Sequence, residues 1–384
     1  AIPLENVMLT KNGANDHGGG AINNKGDATL KNCLIRFNSA DREGGGLYNG
    51  SKQMTLVNCT VADNSAPFGG GICSYGTVSL ANTKVTGNNA GDSGGGAFVH
   101  GTLTATGGEF SNNKGDDCGG VFNKDGKVSL DNVKVNGNTA TGHGGAGVNN
   151  KSETLLTNCE ISENWASAEG GGIYNNKDLT VKNCTIKDNH AKTDGGGICS
   201  YGMTDIDDCA IKGNMAEKSG GALRVNGGRV SISGGIISEN KADEFGGGIY
   251  VNNDHATLSL AHQAGADVSS NGARRISAVN DPAALRITQN EAGYNGGGIW
   301  VASDTGTFNL NGKVGIFENK GGSNVYLTSG KKLTINGELA KGSNVGVALE
   351  NDLGTFTNNY AAFNPHDDPD EFFASDADFH IVRS

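Results

Sequence analysis

The sequence predicts an all-β chain wound as a parallel β-helix, a solenoid of about 13 coils closed by a C-terminal cap. Three observations carry this. First, an apolar residue, two others and then Asn recur from Leu9 to Ile316, 24 to 26 residues apart as far as Ile237. Second, a pair or triplet of glycines precedes an apolar residue in nearly every repeat, as in Gly170–Gly172 and Gly195–Gly197. Third, apolar and polar residues alternate between these marks, which is the period of a strand and not of a helix.

Each part of a coil follows from these marks. In "LTVKNCTIKDN", alternation slips by one residue at Asn183 and resumes at Cys184 and Ile186. Such a slip is a bend between two strands, and Asn tolerates the left-handed backbone that a bend requires. The glycine run suits a tighter bend, where a Cβ would collide with its neighbours. Three short strands and three bends are expected per coil. Coils stacked at ~4.8 Å bring equivalent residues side by side. Asn38, Asn64, Asn88, Asn113, Asn138, Asn164, Asn189, Asn214 and Asn240 should therefore form one ladder, each amide bonding the next. The rod is expected over 1–330. It is irregular from 260 to 295, where the mark at Val268 breaks the spacing. The segment 331–384 is expected to be a β cap, because an open coil is an unpaired sheet edge.

Composition narrows the function. The net charge of −11 would repel a phosphate backbone, so nucleic acid is excluded as a partner. No run of about 20 apolar residues exists, so no membrane insertion is expected. The first residues already lie inside the repeat, so the chain is expected to be a piece of a longer protein. A monomer is expected. Eight cysteines would suit disulfides in a secreted chain. However, Cys33, Cys59, Cys159, Cys184 and Cys209 share one inward place in their coils, which Val7, Thr83 and Val133 fill elsewhere. A place that accepts Val is a small buried site, so reduced, stacked thiols are expected.

The pairing of "GGGIY", "GGGIC", "GGGIW" and "GGGLY" with "FSNN" at Phe110 resembles the polymorphic outer membrane protein repeat of bacterial surface adhesins. The resemblance covers about residues 4 to 327. It implies a right-handed, single-stranded β-helix of the pectin-lyase-like kind, placed outside the cell on its surface. That superfamily also holds polysaccharide lyases and glycosidases, so the likeness speaks for architecture more than for function.

Chemistry on a smooth rod must come from residues aligned across coils. The residue before each glycine run varies most. His143, Glu169 and Asp194 occupy that place in three consecutive coils, and Asp116 and Asp117 come one coil earlier. Carboxylates about 5 Å apart suit glycoside hydrolysis, so these five are candidate catalytic residues. The same acids would also suit Ca²⁺, although no calcium-loop motif is present and no cofactor is expected. After the glycine run, Tyr48, Phe98, Phe122, Tyr174, Tyr250, Trp300 and Tyr326 share one position. Of these, Tyr174, Tyr250 and Trp300 are candidate sugar-stacking residues, with partial burial under loops expected. Arg274 and Arg275 replace a glycine pair and would suit an acidic ligand. Three roles are open: an adhesin-like rod that binds carbohydrate or a host surface protein, a polysaccharide-degrading enzyme, and a structural spacer. Little elaboration of the repeat favours the first.

Overall fold

The computed structural model describes residues 2–15, 18–252, 255–261, 285–302, 307–340, 343–350, 355–365, 367, 369 and 372–375. One coil shows the plan. Strands Asp178–Lys182, Thr185–Lys187, His190–Ala191 and Ile198–Ser200 follow each other around the rod. Each pairs in parallel with its equivalents one coil away on either side. There are four strands where the alternation predicts three. The additional one, His190–Ala191, is two residues long, too short for alternation to reveal it. Its equivalents form an 11-stranded sheet of their own, while the other strands join a 38-stranded sheet.

The bends are where the sequence puts them. Asn183 has φ 51°, and Asn58 and Asn158, in the same place, have φ 53°. The asparagine ladder is present. Asn164 donates from its backbone N and from Nδ2 to Asn189 Oδ1, and Asn189 does the same to Asn214. Each Nδ2 also donates to a carbonyl of the coil before, as Asn189 does to Ile161 O. These amides are buried yet satisfied, so their hydrogen bonds offset the desolvation and fix the register. The five inward thiols stack in the same manner. Cys159 N donates to Cys184 Sγ, and Cys184 N to Cys209 Sγ. All eight cysteines are free and buried.

The apolar rung of the repeat runs in register from Leu9 through Ile186 to Val345. The Val268 mark lies outside the described residues. Ile237 pairs directly with Ile287 and Asn240 with Asn290, while 262–284 lie outside the described residues. Beyond residue 330, strands Leu333–Leu339 and Asn344–Leu349 continue the large sheet. Buried Tyr360, Phe372 and Phe373 pack against the core at that end. Among the described residues, no helix is long and apolar enough to cross a membrane.

Candidate functional site

The strand after each glycine run is three residues long. Its first and third residues enter the rod, as buried Ile173 and Asn175 do. Its middle residue, Tyr174, therefore points outward. Register joins these middle residues into one row: Tyr48, Cys73, Phe98, Phe122, Asn149, Tyr174, Cys199, Arg224, Tyr250, Trp300 and Tyr326. The aromatic positions read from the sequence thus share a row. It lies outside the main core: Cys73, Phe98, Cys118 and Phe122 form a separate apolar cluster, with Tyr48 and Phe68 against it.

The residue before the glycine run folds over this row. Gly170 makes the fold possible, with φ +68° and Ile173 O only 2.6 Å from where a Cβ would stand. The covering row includes Glu43, Phe68, Ser93 and Cys118, then Glu169 and Asp194 on adjacent rungs. His143 is not on it. Between the paired positions Ala140/Ala166 and Val148/Ile173, its coil holds one residue more than the next. Gly144 therefore stands beside Glu169, and His143 is displaced and exposed. Asp116 is also exposed, and its Oδ1 accepts from the Thr141 hydroxyl at 3.2 Å. Asp117 pairs with Lys151 at 3.7 Å. Arg274 and Arg275 lie outside the described residues.

Glu169 and Asp194 are brought together by Arg224, a residue the sequence reading missed. Its Nη1 donates to Glu169 Oε1 and to Asp194 Oδ2, the latter at 2.9 Å. The Tyr201 hydroxyl donates to Glu169 Oε2 at 2.7 Å, and the Cys199 thiol approaches the same oxygen at 3.7 Å. Ser219 N donates to Asp194 Oδ1 at 3.0 Å. Burial raises the Asp194 carboxyl above its ordinary range, and the Arg224 charge offsets this only in part. Burial also works against the Arg224 charge, but Asp194 and Glu169 outweigh it, so the guanidinium is held more firmly protonated. Arg224 Nε is buried without a partner among the described residues. Two signals in the sequence could have found these groups. Arg224 is the one charged residue in the outward row. Tyr201 and Tyr75 each follow a Glu by 32 residues, inside the repeated "GGGICSYG".

Towards the C-terminal end the two rows become an aromatic platform. Phe245 stacks on Trp300 with ring centroids 4.6 Å apart, and Tyr250 on Trp300 at 5.0 Å. Tyr294 reaches Phe245 at 5.4 Å and is 64% exposed. Burial pushes the Tyr174 and Tyr250 hydroxyls up to about 12, so both stay neutral donors at physiological pH. Among the described residues, no group of three or more His, Cys, Asp or Glu side chains is placed to hold a metal ion.

Residues 92–259 match the family model described as "Right handed beta helix region". The rod is a right-handed parallel β-helix. Comparison with curated proteins and with solved structures gave no match. The β-helix therefore stands on its register and on this family match together.

Proposed function

We propose that this β-helix is a non-enzymatic binding rod of the adhesin type, displayed at a cell surface, and that its ligand is a glycan lying along the outer stripe. The stacked run of Phe245, Trp300 and Tyr250, with Tyr294 exposed beside it, carries this reading. Aromatic faces in a row offer the flat apolar surface on which the C–H faces of sugar rings stack. The strip continues into Glu169, Asp194 and Arg224, which supply polar groups along the same line. The likeness to the surface-adhesin repeat points the same way. The test is a glycan array followed by calorimetry on any hit. Trp300→Ala and Tyr294→Ala should each weaken binding by roughly fivefold, on the scale of about 1 kcal/mol per lost ring stack. Unchanged affinity in both variants would remove the platform from the reading.

The Glu169–Asp194 pair favours a second reading, a glycoside hydrolase or polysaccharide lyase. Two carboxylates touch one nitrogen, and burial raises one of them, as glycoside chemistry requires. Against it, Arg224 and Tyr201 already engage the acceptor atoms of Glu169. Release of new reducing ends from a polysaccharide panel, lost in Asp194→Asn, would establish the enzyme and displace the binding rod.

A further inference from the structure

The outer stripe carries one arrangement twice. Glu169, Tyr174, Cys199 and Tyr201 have counterparts in Glu43, Tyr48, Cys73 and Tyr75, each 126 residues earlier. In both, the second tyrosine donates its hydroxyl to the glutamate, at 2.7 Å on Glu169 and 2.8 Å on Glu43. In both, the two tyrosine rings tilt against each other, with centroids 5.5 and 5.9 Å apart. In both, a fully buried cysteine pairs with the first tyrosine from the next rung.

The next rungs differ. The later copy has Asp194 beside Glu169, and Arg224 after Cys199. The earlier copy has Phe68 beside Glu43, and Phe98 after Cys73. Arg224 brings a guanidinium onto Glu169, whereas Phe98 brings no charge, and its ring packs on Phe68 at 5.3 Å. Glu43 makes no ion pair among the described residues. Among the described residues one neutral side-chain donor, the Tyr75 hydroxyl, reaches its carboxylate, and Tyr48, Phe68 and Tyr75 stand near it. Tyr75 is 40% exposed, and its ring lies flat on His100 at 4.5 Å. A carboxylate set among aromatic rings favours a cation through its charge, and a ring face left free beside it adds to that attraction. Phe98 stands at the row position from which Arg224 reaches Glu169, so the earlier copy has no cation of its own at that position.

We propose that the Glu43–Tyr48–Tyr75 cage binds a guanidinium group from outside, an arginine side chain of a partner protein, and that Arg224 is the built-in occupant of the second copy. This site is separate from the glycan platform and does not rest on that reading. The test titrates the protein with a capped Gly-Arg-Gly peptide and with its citrulline twin, which keeps the shape and lacks the charge. The arginine peptide should bind one per chain, roughly tenfold or more tighter than the citrulline peptide. Glu43→Gln should erase that difference, and Tyr75→Phe should reduce it. Arg224→Ala, shown to be folded by circular dichroism, should open the second copy and raise the stoichiometry from one to two. Equal binding of the two peptides, or an arginine preference that survives Glu43→Gln, overturns the proposal. So does a stoichiometry that stays at one in folded Arg224→Ala. Should that variant not fold, the Glu43→Gln comparison decides alone.

Discussion

Replacing Asn189 by Ala would cut the asparagine ladder in mid-rod. Four hydrogen bonds leave with the side chain: two accepted from Asn164, one given to Asn214 and one given to Ile161 O. The backbone bond from Asn189 N to Asn214 Oδ1 survives. At a net worth of about 1 kcal/mol each, the lost bonds amount to about 4 kcal/mol. The Asn164 N–H is then buried without an acceptor, which costs about 1–3 kcal/mol in place of one of those bonds. The expected loss is therefore about 4–6 kcal/mol, at the far end of what single substitutions do. Exposed Lys182→Ala, one strand earlier, should stay within about 0.5 kcal/mol. Urea unfolding followed by circular dichroism measures the total. Native-state hydrogen exchange should find the weakening centred on Asn164 and Asn214, because stacked coils open locally. A loss below about 1 kcal/mol, with exchange at Asn164 unchanged, would show that the ladder merely fills space and that backbone pairing alone sets the register.

Three other outcomes are expected. Gly171→Ala would put a Cβ 2.4 Å from Gly196 O and 2.6 Å from the His190 backbone, both in the next coil, and should lower stability by about 3 kcal/mol or more. Gly26→Ala meets nothing within 4 Å and should be neutral in the same denaturation assay. Burial pushes the Cys118 thiol up to about 12 from 9.0. The folded state thus holds this proton longer than the unfolded chain does, so its stabilising contribution is complete below pH 9 and is lost as pH rises towards about 12. A melting temperature that falls across that window, less so in Cys118→Ala, would show it. The same burial should leave all eight thiols unreactive towards a thiol reagent at pH 8 until the protein is unfolded. Rapid labelling of Cys33 or Cys184 in the folded protein would contradict their place in the rod.

The rod was legible because its cause is periodic. An amide buried once per coil needs a partner one coil away, so Asn38 to Asn240 could be placed from spacing and bonding capacity alone. The two-residue strand His190–Ala191 could not, since two residues have no period. The site was half legible for a related reason. Glu169 and Asp194 were found by counting back from the glycine runs. The same count put His143 in line with them, because the extra residue in its bend hides behind "GGAGV", where Ala146 fills a glycine place. Arg224 escaped because its partners lie on earlier coils, one of them 55 residues back. A long side chain that reaches sideways along the rod leaves no mark in a repeat read one rung at a time. The regular spacing also breaks between Ile237 and Ile287, which meet across 50 residues, with the Val268 mark between them in sequence and outside the described residues.

That last departure bears on how such a rod could grow. Asn240 meets Asn290 across 50 residues, twice the usual separation, and keeps the same two amide bonds as every other rung. Ala242 meets Ala292 and Tyr250 meets Trp300 across the same interval. Doubling the chain between two rungs adds only about 0.6 kcal/mol of closure entropy, less than one ladder bond returns. Two described rungs thus close on each other across 50 residues with the same bonds as rungs 25 residues apart, so register belongs to the rungs themselves and not to the length of chain between them.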